Sequence, residues 1–309
     1  MDGFLAQRGS IGHDGGGSCD RRSGTIRISR RSSRIIHPAA DSVQFDIYVP
    51  PPGHPLSGCV ELVFRVRSRG DYAAQTILPA GTASILFNLG SRVDVSLLNG
   101  GHQSIAAGTP VVGGLPTVAY TARQADDVYI VGVSLKAAAC SAVYRPPMDE
   151  LTDVSVEGDV VYPELRLMCE RLYHAAGFAE QRRMLLEWVA GVMRRRDGAA
   201  VVRQACRALA GAGEPRVGRV ARELAVSERH LRRVFLEHVG LTPAQWRKLA
   251  RFSNAVGRMA GPQTLTEVAH GAGYADQAHF CRDFADIAGM TPGEYRQRVG
   301  PIPGHVFSP

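Results

Sequence analysis

Hydrophobic positions recur with two different spacings along this 309-residue chain. From His37 to about Pro147, apolar residues come in short runs such as 128–135 (VYIVGVSL), separated by Gly- and Pro-containing turns such as 99–101 (NGG). Runs of this kind are typical of strands joined by tight turns. Over residues 161–196, apolar residues instead recur at intervals of three and four, which predicts helices.

These two patterns predict a multi-domain protein with α and β parts. Residues 37–150 are expected to form a β-rich domain, like a sandwich or barrel, with a few helical turns near its end. Residues 151–199 are expected to be a helical connector, and residues 200–299 an all-α domain with two helix-turn-helix motifs. Residues 1–36 are rich in Arg, Gly and Ser, so we expect a disordered tail there. Residues 300–309 are expected to be a second tail.

A segment of about thirty residues occurs twice, in related form, in the C-terminal region. The segment from Val220 to Trp246 returns as Val268 to Tyr295, and each copy has a short helix, a turn and a longer helix, followed by Gly, an apolar residue, Thr and Pro. The offset between copies is 48 residues before the turn and 49 after it, so one residue has been added in the second turn. Two helix-turn-helix motifs in one domain predict DNA binding.

The longer helix of the first copy has an outward face made of arginines. Arg229, Arg232 and Arg233 stand at positions i, i+3 and i+4, so they share one side of the helix, opposite an apolar stripe. Arg bonded to O6 and N7 of guanine is the commonest specific contact in the major groove. We therefore expect these three arginines to contact DNA.

The longer helix of the second copy presents a less basic outward face, formed by Gln277, Ala278, Cys281 and Arg282. Gln277 and Arg282 are the expected base readers, and Ala278 is suited to contact with a thymine methyl group. For either helix alone, a solvated surface with phosphate or intraprotein pairs is an equally good interpretation. Two aligned copies in a basic domain favour DNA reading.

Capping sequences define where the neighbouring helices start. Thr242-Pro243 with Gln245, and Thr291-Pro292 with Glu294, have the order of a capping box with Pro at the first helical position. The helix that starts at residue 243 and ends near 259 would separate the two motifs by about 25 Å, at about 1.5 Å per residue. This distance suits two recognition helices in neighbouring major grooves.

Charge is distributed unevenly along the chain. The net charge is +7, with a net +6 in residues 200–309, −3 in residues 37–199 and +4 in residues 1–36. A basic C-terminal domain is the electrostatic pattern of a protein that binds a polyanion. No apolar run approaches the length of a membrane span and no signal peptide is recognisable, so we expect a soluble, cytoplasmic protein.

Catalytic and metal-binding patterns are missing from the sequence. The six cysteines have no C-x-x-C spacing and the histidines at 37, 54 and 102 are isolated, so we expect reduced thiols and neither a zinc site nor a cupin-type metal site. Gly-x-Ser-x-Gly and phosphate-loop sequences are also absent. We expect no cofactor, no metal and no enzymatic activity. The alternative is a DNA-modifying enzyme with a fused helix-turn-helix domain, such as an alkyl-transfer repair protein, but that chemistry needs clustered thiolates.

Residues 200–299 resemble the DNA-binding domain of AraC/XylS family transcriptional regulators. The residues that carry the resemblance are Ala269, Gly273, Tyr274, Phe280, Arg282, Phe284, Gly289, Thr291, Pro292 and Tyr295. The resemblance implies a seven-helix domain and gives the same seven outward residues of the two longer helices a DNA-contacting role. Ala275 departs from the family pattern, where a Ser is usual, but Asp276 can cap the helix instead.

The N-terminal half is similar, more faintly, to the β-rich sensory domain of some of these regulators. The similarity lies in Leu78-Pro79-Ala80-Gly81 and in 85–90 (ILFNLG), with Ala80 in place of the family's acidic residue. It implies that this domain binds a signal or a partner protomer.

These inferences predict a sequence-specific transcriptional regulator. Its expected partners are double-stranded promoter DNA and RNA polymerase, together with a small-molecule effector or a second copy of the chain on the N-terminal domain. A DNA-binding protein without sequence preference, held mainly by phosphate contacts, is the principal alternative.

Overall fold

The computed structural model of the protein describes residues 17–20, 25–29, 44–68, 72–124, 126–211, 215–299 and 304–307. Its strands are β1 Gly17–Asp20, β2 Thr25–Ser29, β3 Gln44–Tyr48, β4 Val60–Ser68, β5 Tyr72–Ile77, β6 Thr82–Asn88, β7 Val93–Leu97, β8 His102–Ile105, β9 Thr109–Gly113, β10 Tyr120–Gln124, β11 Val128–Lys136, β12 Ser155–Glu157 and β13 His305–Phe307.

The strands of the described residues form two antiparallel sheets. The larger sheet has the order β1-β2-β3-β4-β11-β6-β9-β12, and the smaller has the order β13-β5-β10-β7-β8. Alternation along β6 explains its place in the larger sheet, because Ala83, Ile85 and Phe87 are all fully buried. Val93 and Ile105 of the smaller sheet form a cluster with Val111 of the larger one, so the two sheets face each other there. The predicted β-rich, sandwich-like domain is confirmed.

The helices are α1 Cys140–Val143, α2 Gly158–Val161, α3 Glu164–His174, α4 Phe178–Val192, α5 Ala199–Ala210, α6 Val217–Glu223, α7 Glu228–Val239, α8 Pro243–Arg258, α9 Leu265–Gly271, α10 Gln277–Ala288 and α11 Pro292–Arg298. Two short 3-10 turns, Ala137–Ala139 and Met148–Leu151, flank α1. No helix within the described ranges is both long and apolar enough to cross a bilayer.

Helices α3 and α4 cover the larger sheet with their apolar stripes. Leu165 and Leu172 of α3 and Leu185 of α4 are buried in one cluster with Val63 and Val131 of the sheet. The same cluster continues without a break into α5, α7 and α8 of the C-terminal domain. The connector therefore packs on the β-rich domain and joins it to the helix-turn-helix domain.

Four short strands lie where the sequence predicts something else. Strands β1 and β2 fall within the predicted N-terminal tail, whose other residues lie outside the described ranges. Strand β12 lies in the predicted helical connector because Val156 pairs with Val112 of β9. Strand β13 lies in the predicted C-terminal tail and pairs with β5.

Candidate nucleic-acid interface

The first helix-turn-helix consists of α6, a tight turn and α7. Ser227 caps α7 by accepting a hydrogen bond from the His230 amide at 3.1 Å. One face of α7 is buried, formed by Leu231, Val234, Phe235 and Val239. This burial fixes the opposite face toward solvent.

The second helix-turn-helix, formed by α9 and α10, repeats this geometry. Thr264 closes a capping box with Glu267 at the start of α9, and Asp276 caps α10 by accepting from the His279 amide at 2.7 Å. Phe280, Phe284 and Ile287 of α10 are buried. The two motifs thus present the same face of equivalent helices.

The turns of the two motifs share one backbone conformation. Ala225 has φ of +54°, and Gly273, which occupies the equivalent position 48 residues later, has φ of +84°. In each turn the next amide bonds back five residues, from Val226 to Ala221 and from Tyr274 to Ala269. The extra residue of the second copy therefore follows Tyr274, directly before the Asp276 cap.

The structure brings the three predicted arginines of the first motif together on one exposed surface. Arg229, Arg232 and Arg233 are all exposed along the N-terminal half of α7. Arg233 forms an ion pair with Glu237 at 3.4 Å, with both side chains exposed. An exposed pair of this kind contributes little stability, so the guanidinium is easily redirected to another partner.

In the second motif, Gln277, Ala278 and Arg282 are exposed, whereas Cys281 is half-buried against the domain core. The Gln277 side-chain oxygen accepts a hydrogen bond from the Thr266 hydroxyl at 2.7 Å. This bond joins the two helices of the motif and leaves the amide NH₂ of Gln277 as its free donor group. The second surface is less basic than the first, as the sequence predicts.

Further arginines beside the first recognition helix were not among the predicted contacts. An open groove between α6 and the start of α7 is lined by Arg216, Arg219 and Arg222, next to Ser227. Arg219 and Arg222 are exposed, and Arg219 also pairs with Glu223 at 2.8 Å. The first helix of a helix-turn-helix crosses the DNA backbone, so these residues are placed to meet phosphates. Their spacing of three residues is the sequence signal for this groove.

Both recognition helices are held at their C-terminal ends by the N-terminal half of the chain. Gly240, which ends α7, lies so close to the connector that a Cβ there would come within 2.6 Å of the Thr152 hydroxyl oxygen. Gly289, which ends α10, would bring a Cβ within 2.9 Å of Leu98. These two glycines are equivalent in the repeat. The positions that contact the N-terminal half are therefore the same in both copies of the motif.

A second pair of equivalent positions makes polar contacts to the N-terminal half. His238 of α7 contacts the Ser141 hydroxyl at 2.7 Å, and Ile287 of α10 accepts a hydrogen bond from the Ala119 amide at 2.7 Å. The other ring nitrogen of His238 donates to the Asp197 carbonyl at 2.8 Å, since a carbonyl can only accept. Burial lowers the pKa of His238, which keeps the ring neutral in this contact.

A buried carboxylate ties the second recognition helix to α8. Asp283 contacts Lys248 at 3.2 Å and Arg251 at 3.4 Å, both on α8, and lies 3.6 Å from His279 on its own helix. The equivalent residue of the first motif is Val234, which is buried among apolar side chains. The two motifs are thus attached to α8 by different chemistry.

The β-rich domain contains its own buried polar network beneath the connector. Arg65 bonds Asp46 through Nε at 2.8 Å, and the Gln181 amide of α4 donates to the Tyr129 hydroxyl at 2.6 Å and to the Leu172 carbonyl at 2.7 Å. The Arg65 guanidinium also reaches Gln181 at 3.4 Å. This network fixes the position of α4 on the larger sheet.

Four of the described cysteines do not have the environment of reactive thiols. Cys59, Cys140, Cys169 and Cys206 are buried, and burial raises the pKa of Cys59 to about 11. Among the described residues, no three His, Cys, Asp or Glu side chains lie where they could hold one metal ion.

Two parts of the chain match known domain families. Residues 220–298 match a helix-turn-helix domain, and residues 48–157 match a domain of unknown function (DUF6597). The HTH-type transcriptional regulator NimR of Escherichia coli is 34% identical over 83 residues, which cover 27% of this chain and 30% of NimR. The regulator GlxA of Rhizobium meliloti is 34% identical over 82 residues, which cover 26% of this chain and 25% of GlxA. Each match spans less than a third of the relative's length.

A solved structure of ToxT from Vibrio cholerae is similar to most of the chain. The similarity has a TM-score of 0.49 at 11% sequence identity and covers 76% of this chain and 98% of ToxT.

Proposed function

We propose that this chain, whose C-terminal domain is an AraC-type helix-turn-helix domain, is a sequence-specific DNA-binding regulator of transcription. The observation that carries the proposal is the pair of equivalent recognition helices. Each has a buried apolar face and an exposed N-terminal half, and α8 connects the two motifs. Recognition helices contact base edges mainly through their N-terminal residues.

The two recognition helices contribute unequally to base discrimination. We call α7 the first reader and α10 the second reader. The first reader gives the larger share of base discrimination, because it supplies bidentate donors for guanine from Arg229, Arg232 and Arg233. Gln277 offers an amide donor, Ala278 an apolar contact and Arg282 one guanidinium, so the second reader is more tolerant. Cys281, half-buried, lies at the edge of this surface. The arginines that line the groove between α6 and α7 hold phosphates and set the position of the protein along the DNA. They are Arg216, Arg219 and Arg222.

The N-terminal half controls how the readers are held. It contacts both recognition helices at the equivalent positions 238 and 287 and again at 240 and 289. A small-molecule effector or a second protomer bound to the β-rich domain would change these contacts, and with them the fit to promoter DNA and to RNA polymerase. The protein acts in the cytoplasm, without enzymatic activity and without a metal or cofactor.

Selection of bound sequences by the full chain from a random duplex library tests the proposal. We expect one enriched sequence that binds far more tightly than unselected duplex at the same salt concentration, because base contacts add to the phosphate term. Equal affinity for both duplexes would instead support binding without sequence preference, which the basic groove alone could provide.

Substitution of the readers tests their roles. Arg233→Ala and Arg282→Ala should each weaken binding to the selected duplex by about 1 to 3 kcal/mol and relax preference at one base position. Arg219→Ala should weaken all duplexes alike and lower the salt dependence by about one unit of slope. Arg183→Ala, which removes an exposed arginine on α4 that pairs with Glu187, is the matched control and should leave binding unchanged. If Arg233→Ala weakens all duplexes equally, Arg233 is a phosphate anchor and not a base reader.

A further inference from the structure

The last described residues of the chain return to the β-rich domain and extend its smaller sheet. Strand β13 pairs with β5 in antiparallel register, with His305 opposite Ile77 and Val306 opposite Thr76. The Leu78 amide donates to the Gly304 carbonyl at 2.8 Å. His305 contacts the Gln75 side chain. We call residues 304–307 the C-terminal strap.

The strap is also part of the core of the second helix-turn-helix. Val306 is fully buried in one cluster with Leu78 of the β-rich domain and Tyr295 of α11. The Gly304 amide donates to the Tyr295 hydroxyl at 2.8 Å, and Val306 forms a bridge with Val299. The strap therefore contacts the second motif and the sheet at the same time.

The two readers are attached to the N-terminal half very differently. The first is joined by the continuous apolar core that runs from the larger sheet to α8. The second belongs to a separate cluster, in which Leu78, Ala119 and Val306 are the buried residues from outside the segment 243–298. Because this second junction is narrow, the strap supplies a large part of it.

We propose that the C-terminal strap positions the second recognition helix relative to the first, and so sets the half-site spacing that the protein accepts on DNA. The proposal rests on the proposed function. The strap adds an attachment to those that α8 and the Ala119 amide already give the second reader, and each added attachment leaves the reader less freedom to follow a displaced half-site.

The exposure of the readers favours positioning over blocking. Gln277 and Arg282 are exposed while the strap is paired, because the β-rich domain holds the opposite end of α10. The strap therefore does not cover the DNA surface. Its release would loosen the second reader without uncovering it.

Two variants of the full chain change the strap in opposite directions. Val306→Asp places a charge in the buried cluster and should release the strap. The double variant Ile77→Cys, His305→Cys joins the strap to β5 by a disulfide, since these residues are directly opposite in the register and such pairs lie within disulfide range. Binding is measured on the selected duplex and on duplexes with one to five base pairs inserted between its half-sites.

We expect wild type and the oxidised double variant to bind the original spacing at least roughly tenfold more tightly than neighbouring spacings. The reason is that a rigidly held second reader has a low effective concentration at a displaced half-site. Val306→Asp should bind the original spacing more weakly and bind the neighbouring spacings within about threefold of it. On a duplex with the first half-site alone, all variants should bind equally.

Three results would overturn the proposal. The first is an unchanged spacing preference in Val306→Asp, and the second is tighter binding by Val306→Asp at every spacing, as an inhibitory strap requires. The third is weaker binding by the oxidised double variant than by its reduced form, which decides the matter if Val306→Asp loses the second motif altogether. A wild-type protein that shows no sequence preference would instead refute the proposed function.

Discussion

The left-handed residue in each turn is the smallest feature that the two motifs share. Position 225 is Ala and the equivalent position 273 is Gly, and both have positive φ. A left-handed conformation costs an L-residue about 1 to 2 kcal/mol, which glycine avoids. The first turn therefore carries backbone strain that the second does not.

Exchanging the two turn residues should change stability in opposite directions. Ala225→Gly should stabilise the protein by up to about 1 kcal/mol, since relief of strain exceeds the extra entropy of unfolded glycine. Gly273→Ala should destabilise it by about 1 kcal/mol, through the backbone alone, because a Cβ at Gly273 would meet no atom within 4 Å. Urea unfolding midpoints measure both effects. Destabilisation by Ala225→Gly would show that the turn is not strained.

His238 makes the junction of the first reader sensitive to acid. Its pKa is lowered by burial, so the unfolded chain binds a proton at a higher pH than the folded protein does. Stability is fully present above the ordinary histidine pKa of about 6.5 and decreases as the pH falls below it, by at most about 1.4 kcal/mol per pH unit. The loss is complete below the lowered folded pKa.

Comparison with His238→Gln isolates this effect. Gln keeps a donor for the Asp197 carbonyl but does not titrate. Unfolding free energies measured from pH 8 to pH 4 should therefore decrease less in the variant than in wild type. His305, whose pKa burial lowers to about 4, contributes in the same range to both proteins and cancels in the difference. Parallel curves for both proteins would contradict the assignment.

At this scale the sequence predicts surface faces better than contacts. The outward arginines of α7 are exposed as their helical spacing predicts, while their contact with DNA stays a prediction. The half-buried state of Cys281 depends on neighbouring helices, which periodicity within one helix does not describe. Asp283 was missed because a single Asp on a helix gives no sign of the cations that α8 brings to it.

Helix starts are the elements that the sequence predicts best, because capping is local chemistry. The capping boxes predicted at Thr242 and Thr291 are present, the structure has a third at Thr264, and α8 runs from Pro243 to Arg258 as expected. The predicted helix-turn-helix domain is confirmed by the match of residues 220–298 to a helix-turn-helix domain family. By contrast, β12 and β13 are three residues each, and their conformation comes from β9 and β5 and not from their own sequence.

The attachment of α10 to α8 by Asp283 can be tested by replacing Asp283 with valine, because the equivalent residue of the first motif is Val234. Asp283→Val should lower the free energy of unfolding by about 1 to 3 kcal/mol, because it removes a buried carboxylate that Lys248 and Arg251 share. Guanidinium chloride unfolding measures the loss. The variant should also bind the selected duplex more weakly through its second half-site.

Asp286→Ala is the matched control for this element. Asp286 also lies near Lys248, at 3.6 Å, but its side chain is 67% exposed, so its loss should cost less than about 1 kcal/mol. An equal cost for both variants would mean that the carboxylate of Asp283 contributes no more than a surface charge.

At the scale of the whole molecule, the division into domains is less sharp than the sequence indicates. Composition and periodicity separate residues 37–150 from 200–299, yet one apolar cluster includes Val63 of the sheet and Trp246 of α8. The docking of α7 on Ser141 and of α10 on Ala119 joins residues about 97 and 168 positions apart, a separation that no local pattern reports. Equivalent positions of the two copies nevertheless make these contacts. Once the contact of one copy is known, the repeat therefore gives the contacting position of the other.

The C-terminal strap has a consequence for how the protein is made. Its residues are the last of the described chain to leave the ribosome, while their partner β5 is synthesised more than 200 residues earlier. The β-rich domain and the first reader can therefore fold during synthesis, with the edge of β5 still unpaired, and the second reader gains its attachment to the strap only after residues 304–307 have left the ribosome. During synthesis, the nascent chain has a complete first reader before it has an anchored second one.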